Sequence, residues 1–443
     1  MPTLDLLLKA RYIVDPNTFE VREGACIGVM NNLTTPVMAG DINFDAERTL
    51  DYGDAVIMPA FVNAHAHLDL SHLRGMLPPS DDFAHWLSCV MQARSAPIDL
   101  IVGAAQGAIG DMTRTGTASV MDVLASTPSA LPVAREVLRS PLQAVIAVEA
   151  IGFNKSEGMA SLGAAGRVFH EVLSELFEIR DEDLACYVDR VLDGRRTPIV
   201  GLSPHATYST SHQTYAACSD HALRFHAPQT THVAESPAER EFLATGRGPI
   251  RELYEKVGID ASAYVAPGVG PVDYWFAHAG CRHEASKTDT VLAHCYDAQD
   301  EEIERLGRHK VSIAWCPRSR AFFDHPSFKL DAMLKAGVNV CMGTDSLASN
   351  PSLDMLEELA EAHAQAPDAK LATLFKIATM NGRMALEGPA HRLARKPANF
   401  ADLHVRAAPF GVKSRDALLA AMLEQQPAPL ATIINGVLAF QHV

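Results

Sequence analysis

Along the middle of the chain, short apolar runs alternate with longer stretches of mixed polarity. The runs are AFVNAHAH, TASVMDV, PLQAVIAVEA, PIVGLSPH, QTTHVAE, TVLAHCYD, VSIAWCP and VNVCMGTD. Their length and their β-branched content predict buried strands. Several of the intervening segments carry the helical period. AQDEEIERLGRH and SFKLDAMLKAG are two of them, and SLDMLEELAEAHAQA places apolar residues at 353, 356, 359 and 360 with acids on the opposite face. Strands separated by helices imply parallel β/α units, and enough are present for a (β/α)8 barrel. The two ends read differently. LDLLLKARYIVD, ACIGVMNN and ERTLDYGDAVIMPA at the start, with FADLHVRAA and LATIINGVLAFQHV at the finish, predict strands that could pair with one another.

Composition narrows the picture. With 443 residues, 48% hydrophobic and 21% charged, the chain can bury a sizeable core. A formal charge of −15 argues against non-specific nucleic-acid binding. Eight cysteines without a C-x-x-C pair suggest buried thiols in a reducing compartment. The N-terminal MPTLDLLLKARYIVDP lacks the features of a signal peptide, and no apolar run has the roughly 18 residues of a membrane span. A cytoplasmic protein is expected, and a homodimer is compatible with this reading.

The candidate chemistry lies where the runs end. AFVNAHAH closes on His65 and His67, PIVGLSPH on His205, TVLAH on His294 and VCMGTD on Asp345, while QTTHVAE carries His232 and Glu235. In a barrel, strand ends form the reactive rim. Residues i and i+2 of a strand face the same side, so His65 and His67 can share one ion. Neutral imidazoles suit Zn²⁺ or Fe²⁺ better than Mg²⁺. His232 and Asp345 would complete three histidines and one carboxylate with a position left for water. Taken singly, each residue has an ordinary reading. H-x-H can be chance, His294 a core histidine, Asp345 a helix cap, and Glu235 a cap for PAEREFLATG. Jointly, ordered placement at successive strand ends favours a metal site.

The ordered set HAH, SPH, THVAE, AHC, CPRS and GTDS resembles the amidohydrolase superfamily, in its deaminase and chlorohydrolase branch. The resemblance spans essentially the whole chain. It implies a TIM-like barrel over 59–387 and a small β-sandwich domain built from 1–58 and 388–443. It also implies metal ligation by His65, His67, His232 and Asp345, with Zn²⁺ first and Fe²⁺ as the alternative. Glu235 matches the acid that serves a ring nitrogen, His294 the residue that orients the attacking water, and Asp345 its proton acceptor. His205 matches a substrate-contacting histidine. Binuclear relatives place a Lys or Glu at the fourth strand; IVGLSPHATY has neither, which favours one metal.

The implied reaction is hydrolytic release of ammonia from a purine-like aminated ring, a small heterocyclic amine. Arg74 in SHLRG stands where a substrate carboxylate could be met, and Trp86 in DDFAHWLSCVMQAR where a ring could stack. WCPRSRAFFDHPSF departs from the commoner C-P-x-S-N, with Arg320 in place of the Asn. With THVAESPAEREFLATGRGP, it is similar to aminodeoxyfutalosine deaminases, whose substrate carries an adenine and a benzoate. A guanine- or S-adenosylhomocysteine-type deaminase and a triazine chlorohydrolase are the alternatives. A non-catalytic binding protein is more distant, because the full ligand set is present.

Overall fold

The computed structural model describes residues 3–39, 44–177, 199–225, 227–261, 266–280, 290–386, 401–412, 414 and 417–442. Six strands come first: β1 (Leu4–Val14), β2 (Val21–Met30), β3 (Leu33–Thr34), β4 (Met38–Ala39), β5 (Ala46–Asp51) and β6 (Ala55–Pro59). Nine follow in the middle: β7 (Phe61–His67), β8 (Thr117–Leu124), β9 (Gln143–Ala150), β10 (Ile199–Pro204), β11 (Gln229–Val233), β12 (Thr290–His294), β13 (Ser312–Trp315), β14 (Asn339–Met342) and β15 (Asp345–Ser346). The last three are β16 (Leu403–Ala407), β17 (Pro429–Ile434) and β18 (Val437–Gln441).

Strands β7 to β15 form one parallel sheet in the order β14-β13-β12-β11-β10-β9-β8-β7-β15. β14 and β15 are two parts of one crossing, separated only by Gly343 and Thr344. Up to Gly343, whose N–H reaches Trp315 O at 2.9 Å, the chain follows β13; from Thr344, whose N–H reaches His65 O at 3.1 Å, it follows β7. That switch closes the ring, and the architecture is a (β/α)8 TIM-like barrel. Asn63 pins the closure. Its side chain donates to Thr344 Oγ1 at 2.7 Å and accepts from Thr344 N at 3.1 Å.

The barrel interior is filled by apolar and mostly small side chains, including Val62, Ala64, Met121, Val145, Val291, Ala314 and Cys341. Two larger apolar clusters lie between barrel and helices. One involves the helix Ile98–Thr115, which buries Ile101, Ala105, Ala108, Ile109 and Met112. Two helices read from the sequence form as Asp300–Arg308 and Leu330–Ala336. The third forms as Met355–Gln365, with Asp354 as its N-cap. No helix among the described residues is long and apolar enough to cross a membrane. Cys186 and Cys281 lie outside the described residues, and Cys218, Cys295, Cys316 and Cys341 are buried thiols.

The two chain ends do pair. β6 runs antiparallel to β16, with Leu403 opposite Pro59 and Val405 opposite Ile57, inside a nine-stranded mixed sheet. Leu6, Leu8, Ile13, Ile27, Ile57, Leu403 and Ile433 share its core. The expected boundary at 387/388 lies outside the described residues.

Arg406 on β16 ties this sheet to the barrel. Fully buried, it meets both Asp354 oxygens at 2.7 Å, His404 Nε2 at 2.7 Å and Thr115 O at 3.0 Å. Removing one partner of a buried pair strands the other charge. Arg406→Met is therefore expected to lower stability by about 3–5 kcal/mol, read as a lower urea midpoint; an unchanged midpoint would contradict this tie.

Candidate metal centre and active site

The sequence-predicted ligands converge at the strand ends. His67 Nε2 lies 3.2 Å from His232 Nε2. Asp345 Oδ1 lies 3.9 Å from His65 Nε2 and 3.8 Å from His67 Nε2. One ligand atom each of His65, His232 and His294 also falls within 4.8 Å of the others. Metal–nitrogen bonds of about 2.0–2.1 Å in a tetrahedral site would set neighbouring ligand atoms about 3.3 Å apart. These residues therefore stand near ligand spacing, and all are buried.

The hydrogen bonds assign the lone pairs. His232 Nδ1 sits 2.7 Å from His205 O, an acceptor, so the proton belongs on Nδ1 and Nε2 is free to bind a cation. Both ring nitrogens of His65 and Nδ1 of His67 are buried without a hydrogen-bond partner among the described residues. Burial lowers the pKa of His65 and His67 well below the usual value, and neighbouring imidazoles lower it further. Neutral, unpartnered imidazoles around one point fit a divalent cation. Asp345 is held from behind: its Oδ2 accepts from Ser319 Oγ at 2.6 Å and Ser349 Oγ at 2.8 Å, which leaves Oδ1 toward the histidines. Its alternative reading as a helix cap does not apply, since Asp354 caps the helix that follows.

Backbone strain aims these groups. His294 has φ +75°, Cys295 +55°, Asp345 +58° and Ala234 +52°. A left-handed non-glycine residue costs on the order of 1–3 kcal/mol and persists only where its surroundings enforce it. Here Cys295 N–H binds Val233 O at 3.0 Å and Asp297 N–H binds Ala234 O at 2.8 Å. Along β7 the pairing with β8 is irregular between Asn63 and Ala66. Val62 and Ala64 enter the barrel interior below this irregularity, and His65 and His67 face the mouth above it. Gly343 is a glycine because a Cβ would stand 2.8 Å from His65 Cβ and 3.0 Å from Cys316 Sγ.

Glu235 and His294 form the adjoining pair, with His294 Nε2 3.6 Å from Glu235 Oε1. Tyr296 donates its one proton to Cys316 O at 2.9 Å, so its oxygen accepts from His294 Nδ1 at 3.2 Å. His294 Nε2 then carries a lone pair. Burial, then the nearby Asp345 and Glu239 charges, raise the Glu235 pKa well above the usual carboxyl value. Glu235 is buried and does not cap the next helix; Ser236 does, accepting from Glu239 N. Glu239 in turn accepts the Glu235 N–H at 2.7 Å.

The expected substrate contacts fare differently. His205 Nδ1 meets Ser209 Oγ at 2.6 Å, and its Nε2 lies 3.7 Å from Glu149 Oε1. Burial brings the His205 pKa down to about 4, against the opposing pull of Glu149. Arg320 lines a cavity of about 860 Å³ that also borders Phe83, Ser236, Pro237, Lys256, Phe323 and His325. Trp86 is buried behind that wall, donating to Ala348 O at 3.3 Å; Phe83 takes the wall position. Arg74 is half exposed and bridges to Asp111 at 2.7 Å on the helix Ile98–Thr115, away from the cavity lining.

Glu149 was not read from the sequence, although it ends the run PLQAVIAVEA just as the histidines end theirs. It is fully buried at the end of β9, with Arg94 Nη2 3.4 Å away. Burial pushes its pKa up, but His205 and Arg94 more than offset this and hold it below the usual value. One ligand atom each of Glu149, His205 and His232 falls within 4.8 Å of the others, a second metal-like group. There, however, the Arg94 guanidinium already supplies the positive charge.

A parallel barrel with imidazoles and a carboxylate gathered at its rim defines a metal-dependent hydrolase type of site. Residues 56–390 match the amidohydrolase family, and the chain belongs to that family. It is 28% identical over 401 residues to a 5-methylthioadenosine/S-adenosylhomocysteine deaminase of Thermococcus sibiricus, covering 86% of this chain and 81% of that protein. It is 29% identical over 356 residues to an aminodeoxyfutalosine deaminase of Deinococcus radiodurans, covering 77% and 76%. The crystal structure of Helicobacter pylori aminofutalosine deaminase in complex with methylthio-coformycin superimposes with a TM-score of 0.77 at 21% identity, over 98% of this chain and 99% of that one.

If the gathered ligands hold a metal, purified protein should contain about one divalent ion per chain, and His232→Ala or Asp345→Ala should lower it below about 0.2. Elemental analysis decides this; full occupancy in both variants would remove these residues from the ligand set.

Proposed function

We propose that this chain is a metal-dependent hydrolytic deaminase that releases ammonia from the purine-like ring of an adenosine derivative. The observation that carries the proposal is Glu235, a buried carboxyl 3.6 Å from His294 and adjoining the ligand cluster, whose pKa burial and the nearby acids raise. A ring-protonating deaminase needs a proton donor at that place. Its relatives' activities point the same way.

His65, His67, His232 and Asp345 would hold the ion, with Zn²⁺ favoured by the imidazole-rich set. When bound, such an ion lowers the pKa of a water from about 15.7 to about 7. The chain's own groups do the rest. His294 Nε2 accepts a hydrogen bond from the attacking water and sets its approach. Asp345 Oδ1 takes the water proton, its other oxygen being engaged by Ser319 and Ser349. Glu235 gives its proton to the ring nitrogen beside the reacting carbon, so negative charge does not build on the ring. Asp345 then passes its proton to the amino group, the C–N bond breaks with its electron pair leaving on ammonia, and the new hydroxyl gives its proton back to Glu235 as a lactam carbonyl forms. Buried side chains around this point exclude bulk water.

The cavity of about 860 Å³ is far larger than a free base requires and suits a ligand with a substantial extension. That favours an adenosine derivative over guanine or a triazine. Its wall carries Arg320 and Lys256 but also Asp81, Asp82, Glu252 and Asp324, so both signs of charge are available to a tail. A futalosine-type carboxylate would meet Arg320, and a thioether tail would meet Phe83 and Phe323. We place the enzyme in the cytoplasm, where such metabolites occur.

Ammonia release should be measured with adenosine, 5-methylthioadenosine, S-adenosylhomocysteine, aminodeoxyfutalosine and guanine, and chloride release with a chlorotriazine. Turnover of at least one adenosine derivative is expected; turnover of the triazine or guanine alone would overturn the reading. Glu235→Gln should reduce kcat by about 10²–10⁴-fold or more with metal content intact. Near-full activity would remove ring protonation from the mechanism. The pH dependence has a definite sign. Glu235 acts in its protonated form and its pKa is raised, so kcat/KM should fall as pH rises, with the fall displaced above the ordinary carboxyl range.

A further inference from the structure

The stretch RAFFDH, which breaks the commoner motif, places a second histidine beside the acid. His325 is buried, 4% exposed, yet it lines the cavity. Its Nε2 has no hydrogen-bond partner among the described residues. Glu235 Oε1 lies 4.0 Å away, beyond hydrogen-bond reach. Three aromatic rings fix its orientation. Phe323 stacks on it at 5.1 Å, Phe83 meets it edge-on at 5.3 Å, and Tyr296 lies tilted at 5.8 Å.

A buried nitrogen left without a partner costs about 1–3 kcal/mol, and such groups are rare unless a ligand completes them. An aromatic box that merely needed filling would hold a phenylalanine at no such cost. We propose that His325 is a specificity-determining residue whose Nε2 hydrogen-bonds a polar atom of the bound nucleoside, next to the ring nitrogen that Glu235 serves. Burial, then Arg320, lowers its pKa to about 3, so it makes this contact as a neutral imidazole. The inference rests on the deaminase reading above, and it gives the FFDH segment a role in recognition that Arg320 alone does not supply.

The test is His325→Phe, which keeps the box and deletes the nitrogen. Three quantities are read: thermal midpoint, metal content, and kcat/KM on the best adenosine-type amine. The midpoint should stay level or rise, because an unpartnered buried nitrogen has gone. Metal content should not change, and kcat/KM should fall by about 10- to 100-fold. His325→Gln, which restores an amide near Nε2, should recover part of that loss. A kcat/KM within twofold of wild type, a lowered midpoint, lost metal, or no recovery in the Gln variant would each overturn the proposal. Adenosine-induced thermal shifts are measured in parallel. If the wild type releases no ammonia from any amine, the deaminase reading falls on its own. A shift present in wild type and lost in His325→Phe then still supports the contact, whereas equal shifts, or none in wild type, overturn it.

Discussion

The structure depends on a knot of buried lone pairs. The facing nitrogens of His67 and His232 stand 3.2 Å apart, and Asp345 Oδ1 lies 3.8–3.9 Å from His67 and His65, inside a space that water scarcely reaches. Left alone, such atoms repel, and their desolvation is not recovered. A divalent cation relieves both costs. The surrounding design follows from keeping those lone pairs aimed at one point. The His205 carbonyl holds the tautomer of His232, the Tyr296 hydroxyl that of His294, and two serines turn Asp345.

The barrel supplies the rigidity that this requires. Its closure runs through the same few residues as the site. The chain changes strand partner between Gly343 and Thr344, and Asp345 follows immediately. Gly343 packs against His65 with no room for a Cβ. Closing the barrel and presenting the carboxylate are therefore one structural event. Strained φ values at Ala234, His294, Cys295 and Asp345 are concentrated at this rim, where packing from every side enforces them.

Beside the knot, a second set of groups is kept neutral or paired according to its task. Glu235 is buried among other acids, which favours its protonated form, while Glu149 is kept ionised by Arg94 and His205. Two carboxyl groups, at the ends of β9 and β11, are thus pushed in opposite directions by their surroundings alone. The cavity lined by Ser236 and His325 lies next to Glu235. Its aromatic wall is built by Phe83 from one helix and Phe323 from another segment far along the chain.

The amino-acid sequence alone determined the eight strand-forming runs, the pairing of the two ends, and the polar residue that closes each reactive run. Hydrophobic periodicity is local, so strands, helices and their ends can be read from neighbours in the chain. Even Glu149 was open to the same rule, because it stands near the end of an apolar run. What only the tertiary structure decided depends on groups distant in sequence. The irregularity in β7 that turns its histidines to the mouth, the left-handed residues at the rim, and the serines behind Asp345 leave no local mark. Arg74 and Trp86 illustrate the same limit. Their residue types suit a ligand, and which protein groups they meet, here Asp111 and the Ala348 carbonyl, is settled only when the whole chain has packed.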